Sequence, residues 1–249
     1  MPTAIWLRLF APSASLATSS IRRFYTVERT HAIDVSRLFE RSGELIGHRI
    51  PKVDGQVGLS ALNKLVATQS VESIAVRSSA YQVHYQEACR YWAKSSTFAP
   101  RFVRNGEPVD QPHGRTISLM NARAAGFVNC LINSSLFYWY YSTLSDCEHI
   151  NDSLLRSFPL PKNWDTINWS ALSVSVDKAL RKSATPKTIN TKQGHVIEYD
   201  EICGKSARDA IFHADIALGQ TFGFSQAELD YIVNYDIKYR MGQGADEDD

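Results

Sequence analysis

The sequence predicts an α+β fold, a mixed strand-and-helix region followed by a mainly helical C-terminal segment. Three observations predict it. Residues 71–118 carry alternating, aromatic-rich pieces punctuated by turn signals. Residues 119–144 keep a broad apolar face at helical spacing for several turns. Ser225-Gln-Ala-Glu228 has the pattern of a capping box, in which the serine hydroxyl accepts from the third helical N–H and the glutamate reaches back.

The elements follow in order. Residues 1–60 are short apolar patches broken by Pro, Ser and Gly, a pattern of strands and loops. Residues 56–69 place Leu59, Leu62, Leu65 and Val66 on one helical face. Asn105-Gly106 and Pro112-His113-Gly114 read as turns between strands. The helix over 119–144 is expected to end near Leu144, and its run Phe137-Tyr138-Trp139-Tyr140-Tyr141 covers every face, which points to burial in a core. A linker at 158–168, a helix near 169–182, a polar turn at 183–194 and a strand at 195–200 come next. The capped helix then carries Leu229, Ile232 and Val233. These group as an N-terminal strand and loop segment (1–47), a mixed domain (48–160), a helical C-terminal segment (161–243) and an acidic disordered tail (244–249).

Composition excludes several classes. Of 249 residues, 44% are apolar or aromatic and 21% are charged, enough buried surface to offset the entropy of ordering, so neither a disordered nor a fibrous chain is expected. No apolar run approaches the roughly 20 residues that span a bilayer. The net charge of +1 conceals an asymmetry: residues 1–120 hold 15 basic and 9 acidic side chains, and residues 121–249 hold 12 and 17. A polyanion would meet the first half. Cys89, Cys130, Cys147 and Cys203 are scattered, without Cys-x-x-Cys spacing, as reduced thiols of a cytoplasmic protein would be. The first 26 residues are acid-poor and rich in Ser and Arg, as a mitochondrial transit peptide is. The plainer alternatives are a strand and loop of the fold or the front of a truncated reading frame.

Catalytic patterns are missing. There is no Gly-x-x-x-x-Gly-Lys loop, no His-Glu-x-x-His and no Gly-x-Ser-x-Gly, and the one Gly-x-Gly lies in the tail. Nothing in the spacing suggests a metal site. Asp146-Cys147-Glu148-His149 brings a thiol beside an imidazole, but residues adjacent in sequence point in different directions, so a polar turn with Asp146 or Asn151 capping the next helix is the stronger reading. Residues 81–115 are more informative. Tyr81, Tyr85, Tyr91 and Trp92 interleave with Arg90, Lys94, Arg101, Arg104 and Arg115, a composition that stacks on bases and neutralises phosphates, although half of the aromatics could be core.

Two passages carry a family resemblance: 131–160, with Asn133 to Trp139, Ser145 to Cys147, Asn151 and Phe158-Pro159, and 211–242, with Phe222 to Phe224, Glu228 to Asp230 and Asn234 to Met241. Both resemble the C-terminal region of adenine-specific DNA methyltransferases of the TaqI-like and type IIG restriction-modification kind. Ile50-Pro51-Lys52 resembles the opening of that family's target-recognition region. The resemblance implies a parent enzyme that moves a methyl group from S-adenosylmethionine to a flipped adenine. It also implies a bacterial or archaeal cytoplasmic setting.

The family's Asn/Asp-Pro-Pro-Tyr/Phe loop cannot exist here, because none of the nine prolines are adjacent, and the glycine-rich cofactor loop is absent too. No catalytic or cofactor residue carries over. The chain is therefore expected to bind no cofactor itself, to be inactive alone, and to supply double-stranded DNA recognition to a methyltransferase catalytic domain or chain, as a separate subunit or a truncated frame. Lys94, Arg101, Arg104 and Arg115 are the expected phosphate or guanine contacts, with Tyr91 and His113 as lesser candidates. The competing reading is a protein-interaction chain without DNA affinity, organellar in one version.

Overall fold

The computed structural model describes residues 15–21, 39–42, 46, 49–89 and 91–240. Most of the 1–47 segment, Arg90, Met241 and the acidic tail lie outside the described residues. Near the N-terminus, β1 (Ser15–Thr18) pairs antiparallel with β2 (Phe39–Ser42).

The fold is α+β. After α1 (Gln56–Lys64), the short β3 (Gln69–Ser70) and β4 (Ala75–Val76) lead to β5 (Gln82–Gln86), β6 (Ser95–Ser96), β7 (Phe102–Arg104), β8 (Glu107–Pro108) and β9 (Gly114–Leu119). Strand β5 buries Val83 and Tyr85 and leaves the alternate residues half-buried, the period-2 signature that the sequence shows. Asn105 (φ 53°) and Gly106 (φ 86°) both take left-handed backbone, the two-residue turn that matches the twist of a β7–β8 hairpin.

The helices then follow as α2 (Ala122–Asn133), α3 (Ser135–Leu144), α4 (Asp152–Arg156), and, past β10 (Pro159–Leu160), α5 (Trp169–Ser183). Strands β11 (Thr185–Asn190) and β12 (Val196–Glu201) form a hairpin before α6 (Arg208–Phe222), α7 (Gln226–Asn234) and α8 (Ile237–Arg240). Two four-stranded antiparallel sheets result, in the orders β4-β9-β5-β6 and β11-β12-β7-β8. The second joins strands from either side of residue 160, since Glu198 of β12 lies opposite Val103 of β7. The main core likewise runs from Val53 to Tyr235.

That core centres on α2 and α3, and every residue of α3 is buried. Phe127 meets Trp169 edge-on, with ring centroids 5.2 Å apart. Gly126 allows α2 to approach α5 this closely, because a Cβ there would stand 2.7 Å from the Trp169 backbone. Inside the interface a polar network is fully enclosed. Asn129 Nδ2 donates to Ser173 Oγ (2.8 Å) and Asp177 Oδ1 (3.0 Å), and Asn133 Nδ2 donates to the Ser95 carbonyl (3.0 Å). Ser95 Oγ donates to Asn129 Oδ1 at 2.8 Å. Strand β6 is thus anchored to the helical hub by hydrogen bonds.

Three expectations are corrected. The helix over 119–144 is two helices, because Ser134 leaves helical geometry and its hydroxyl accepts from Phe137 N (3.1 Å), capping a new helix. Helix α1 stops at Lys64, so Val66 is 79% exposed instead of sharing the buried face of Leu62 and Leu65. The polar stretch 183–194 contains β11, whose residues are all exposed, so that no apolar alternation marks it as a strand. The capping box at Ser225 and Glu228 is present, with Glu228 N donating to Ser225 Oγ (3.3 Å) and Ser225 N to Glu228 Oε2 (2.7 Å). No disulfide joins the four cysteines. Among the described residues, no helix is long and apolar enough to cross a membrane.

Candidate nucleic-acid interface

Residues of both four-stranded sheets line one cleft of about 1000 Å³. Its lining comes from β5, β6 and β9 of one sheet and β7, β8 and β12 of the other, with Leu180 and Ile202 contributing apolar surface. Lys94, Arg101 and Arg115 all line it. Of the six residues expected to contact DNA, these three converge on one place although they come from three segments of the chain. Arg104 is exposed on β7, outside the cleft lining. His113 sits beside it, between the lining residues Gln111 and Gly114. Tyr91 is 40% exposed in the β5–β6 connection, and its carbonyl accepts from Arg240 Nε at 3.2 Å.

The two cleft arginines are held in place. Arg101 donates to Glu198 and its Nη1 lies 3.9 Å from Asp200 Oδ1, both acceptors coming from β12. Arg115 grips Glu87 through Nε (2.8 Å) and Nη2 (2.7 Å). Lys94 is half-buried, and burial pushes its ammonium below the ordinary value, against the pull of Glu201. These pairs orient the long side chains. Because exposed ion pairs are worth only about 0–1 kcal/mol, a phosphate oxygen can replace a carboxylate at small cost. The carboxylates Asp110 and Asp200 also line the cleft, so the field inside it is mixed rather than uniformly positive.

The aromatics divide as the sequence allows. Tyr81 and Tyr91 are exposed, whereas Tyr85 is core, donates to Asp152 Oδ1 (2.7 Å), and has a hydroxyl that burial holds well above its ordinary value. Trp92 is structural: its Nε1 donates to the Asn133 carbonyl (3.2 Å), and its ring packs on Gly204, where a Cβ would come within 2.5 Å. His84 Nδ1 lies 3.0 Å from Thr116 Oγ1 in the cleft wall. These two residues are directly opposed across β5 and β9, so the contact is that of an ordinary cross-strand pair.

One grouping has no counterpart in the sequence pattern. Glu87, His113 and His149 bring one ligand atom each to within 4.8 Å of one another beside the cleft. His113 Nδ1 is 2.9 Å from Glu87 Oε1, and the hydrogen bonds from His113 and Arg115 hold the Glu87 carboxyl below its ordinary value. The Asp146–His149 run is a polar turn as read, with Glu148 N donating to Asp146 Oδ1 (3.0 Å) and Asn151 capping α4 through Leu154 N (2.8 Å).

Comparison with known proteins, by family models, curated sequences and solved structures, finds no match. None of the described residues that resemble the methyltransferase blocks lines the cleft: Asn133 to Trp139 are buried in the hub, and Asn234 belongs to the capped helix α7.

Proposed function

We propose that this chain reads double-stranded DNA as the target-recognition and C-terminal part of an adenine-specific DNA methyltransferase. A catalytic domain or chain would supply S-adenosylmethionine chemistry in a bacterial or archaeal cytoplasm. The observation that carries the reading is the convergence of Lys94, Arg101 and Arg115 on one cleft between two sheets. A cleft walled by strands and lined by guanidinium groups offers phosphate neutralisation and bidentate base-edge contacts together. The hub supports it from behind, since the Asn133–Ser95 bonds fix the strand next to Lys94. The block resemblance supports a methyltransferase domain as the partner, and the lack of a Pro-Pro loop in this sequence supports leaving methyl transfer to that partner.

The test is binding of a labelled duplex to the purified chain at low and moderate salt. Each phosphate contact contributes about −0.9 to the slope of log affinity against log salt, so three contacts give a slope near −2.7. Addition of a cognate catalytic chain should then yield sequence-specific adenine methylation, which the chain alone should not perform. No affinity for any duplex at low salt would instead favour the protein-interaction reading.

A further inference from the structure

We infer that Glu87, His113 and His149 form a binding site for a divalent transition-metal ion of the zinc class, beside the cleft. Two imidazoles and one carboxylate are the donor set that such ions take when three protein ligands leave a fourth position to water. The ligand atoms already lie within 4.8 Å of one another, so an ion can be enclosed by small side-chain movements.

The backbone holds the three segments together. Glu87 N donates to the His113 carbonyl (3.0 Å), Ile150 N donates to the Glu87 carbonyl (2.8 Å), and Ala88 forms an isolated bridge with His149. Two of these segments pay for that arrangement in backbone conformation. His113 has φ 59° and Cys147, two residues before His149, has φ 62°, a region that costs a non-glycine residue on the order of 1–3 kcal/mol. The two imidazole rings lie 25° from parallel with centroids 6.3 Å apart.

Arg115 completes the site from outside. By holding Glu87 Oε2 it leaves Oε1 directed at His113 Nδ1, the role of the hydrogen-bonded partners that orient metal ligands. On binding, the ion takes the place of the proton shared by Nδ1 and Oε1. A plain His–Glu ion pair would need only two of these three residues, and His149 has no part in it. Both histidines are exposed, so the fourth position is open to water and the ion has an entry path. The inference does not depend on the DNA reading.

The test uses the full chain, stripped with a chelator and titrated with Zn²⁺ by calorimetry and with Co²⁺ by visible absorption. One ion per chain with a low-symmetry Co²⁺ spectrum is expected. His149→Ala and His113→Asn, the latter because asparagine tolerates left-handed backbone, should each weaken binding by at least about tenfold. His195→Ala, at the β11–β12 turn and outside the group, should leave it unchanged. Absence of stoichiometric binding by the unmodified chain, or undiminished binding by the His113→Asn/His149→Ala pair, would overturn the assignment.

Discussion

The α2–α5 interface and the cleft between the sheets use the same kinds of polar side chain to opposite ends. In the interface, Asn129, Asn133, Ser95 and Asp177 are buried and answer one another, so the network specifies one packing of helix against helix and strand. In the cleft, Arg101 and Arg115 are 44% and 53% exposed and rest on carboxylates that solvent also reaches. A buried network is costly to break, and an exposed ion pair exchanges its partner cheaply. Stability therefore resides in the hub, and the proposed anion binding would draw on the cleft.

The largest effect that separates the regions is in the hub. Phe127→Ala should cost about 3–5 kcal/mol by chemical denaturation, since it empties the space between Trp164 and Trp169. Asn133→Ala leaves buried groups of Ser95 without their partner and should cost about 1–3 kcal/mol. Because Ser95 adjoins Lys94, this variant should also weaken duplex binding, which would join the two regions instead of merely contrasting them.

A smaller and pH-dependent effect belongs to the capping box. Burial alone would raise the Glu228 carboxyl, but hydrogen bonds from Lys64, Ser225 and Ser60 outweigh it and bring the group down to about 2. The unfolded chain's glutamate titrates near ~4.3. A folded value below the unfolded one stabilises fully above pH ~5, and that contribution disappears as the pH falls toward 2. Glu228→Gln should lose about 1–2 kcal/mol at neutral pH and flatten the acid limb of the stability curve. Smallest of all, Arg101→Gln and Arg115→Gln should each leave the denaturation midpoint almost unchanged. Each should nonetheless remove about 0.9 from the salt slope of duplex binding.

How much of this was legible in the sequence follows from range. The capping box, the Asn105-Gly106 turn and the all-round apolar run Phe137 to Tyr141 are local signals, and the structure uses each one where it stands. The break at Ser134 was not legible, because a serine inside an apolar stripe does not declare whether its hydroxyl will cap a new helix. Strand β11 was hidden because an exposed edge strand has no apolar face to alternate. The grouping of Lys94, Arg101 and Arg115 was half visible: their composition stood out, but the carboxylates that orient Arg101 lie on β12, and Glu198 is 97 residues away. Glu87 was not marked, and His149 only as the neighbour of Cys147, since Glu87 is 26 residues from His113 and the three residues meet through backbone pairing and two left-handed residues.

Hydrogen exchange of the full chain with and without duplex DNA tests the division of labour most directly. The expected result is added protection in β5, β7, β9 and β12 around the cleft, with α2 and α3 equally slow in both samples. Protection confined to other surfaces, or none at saturating duplex and low salt, would contradict it.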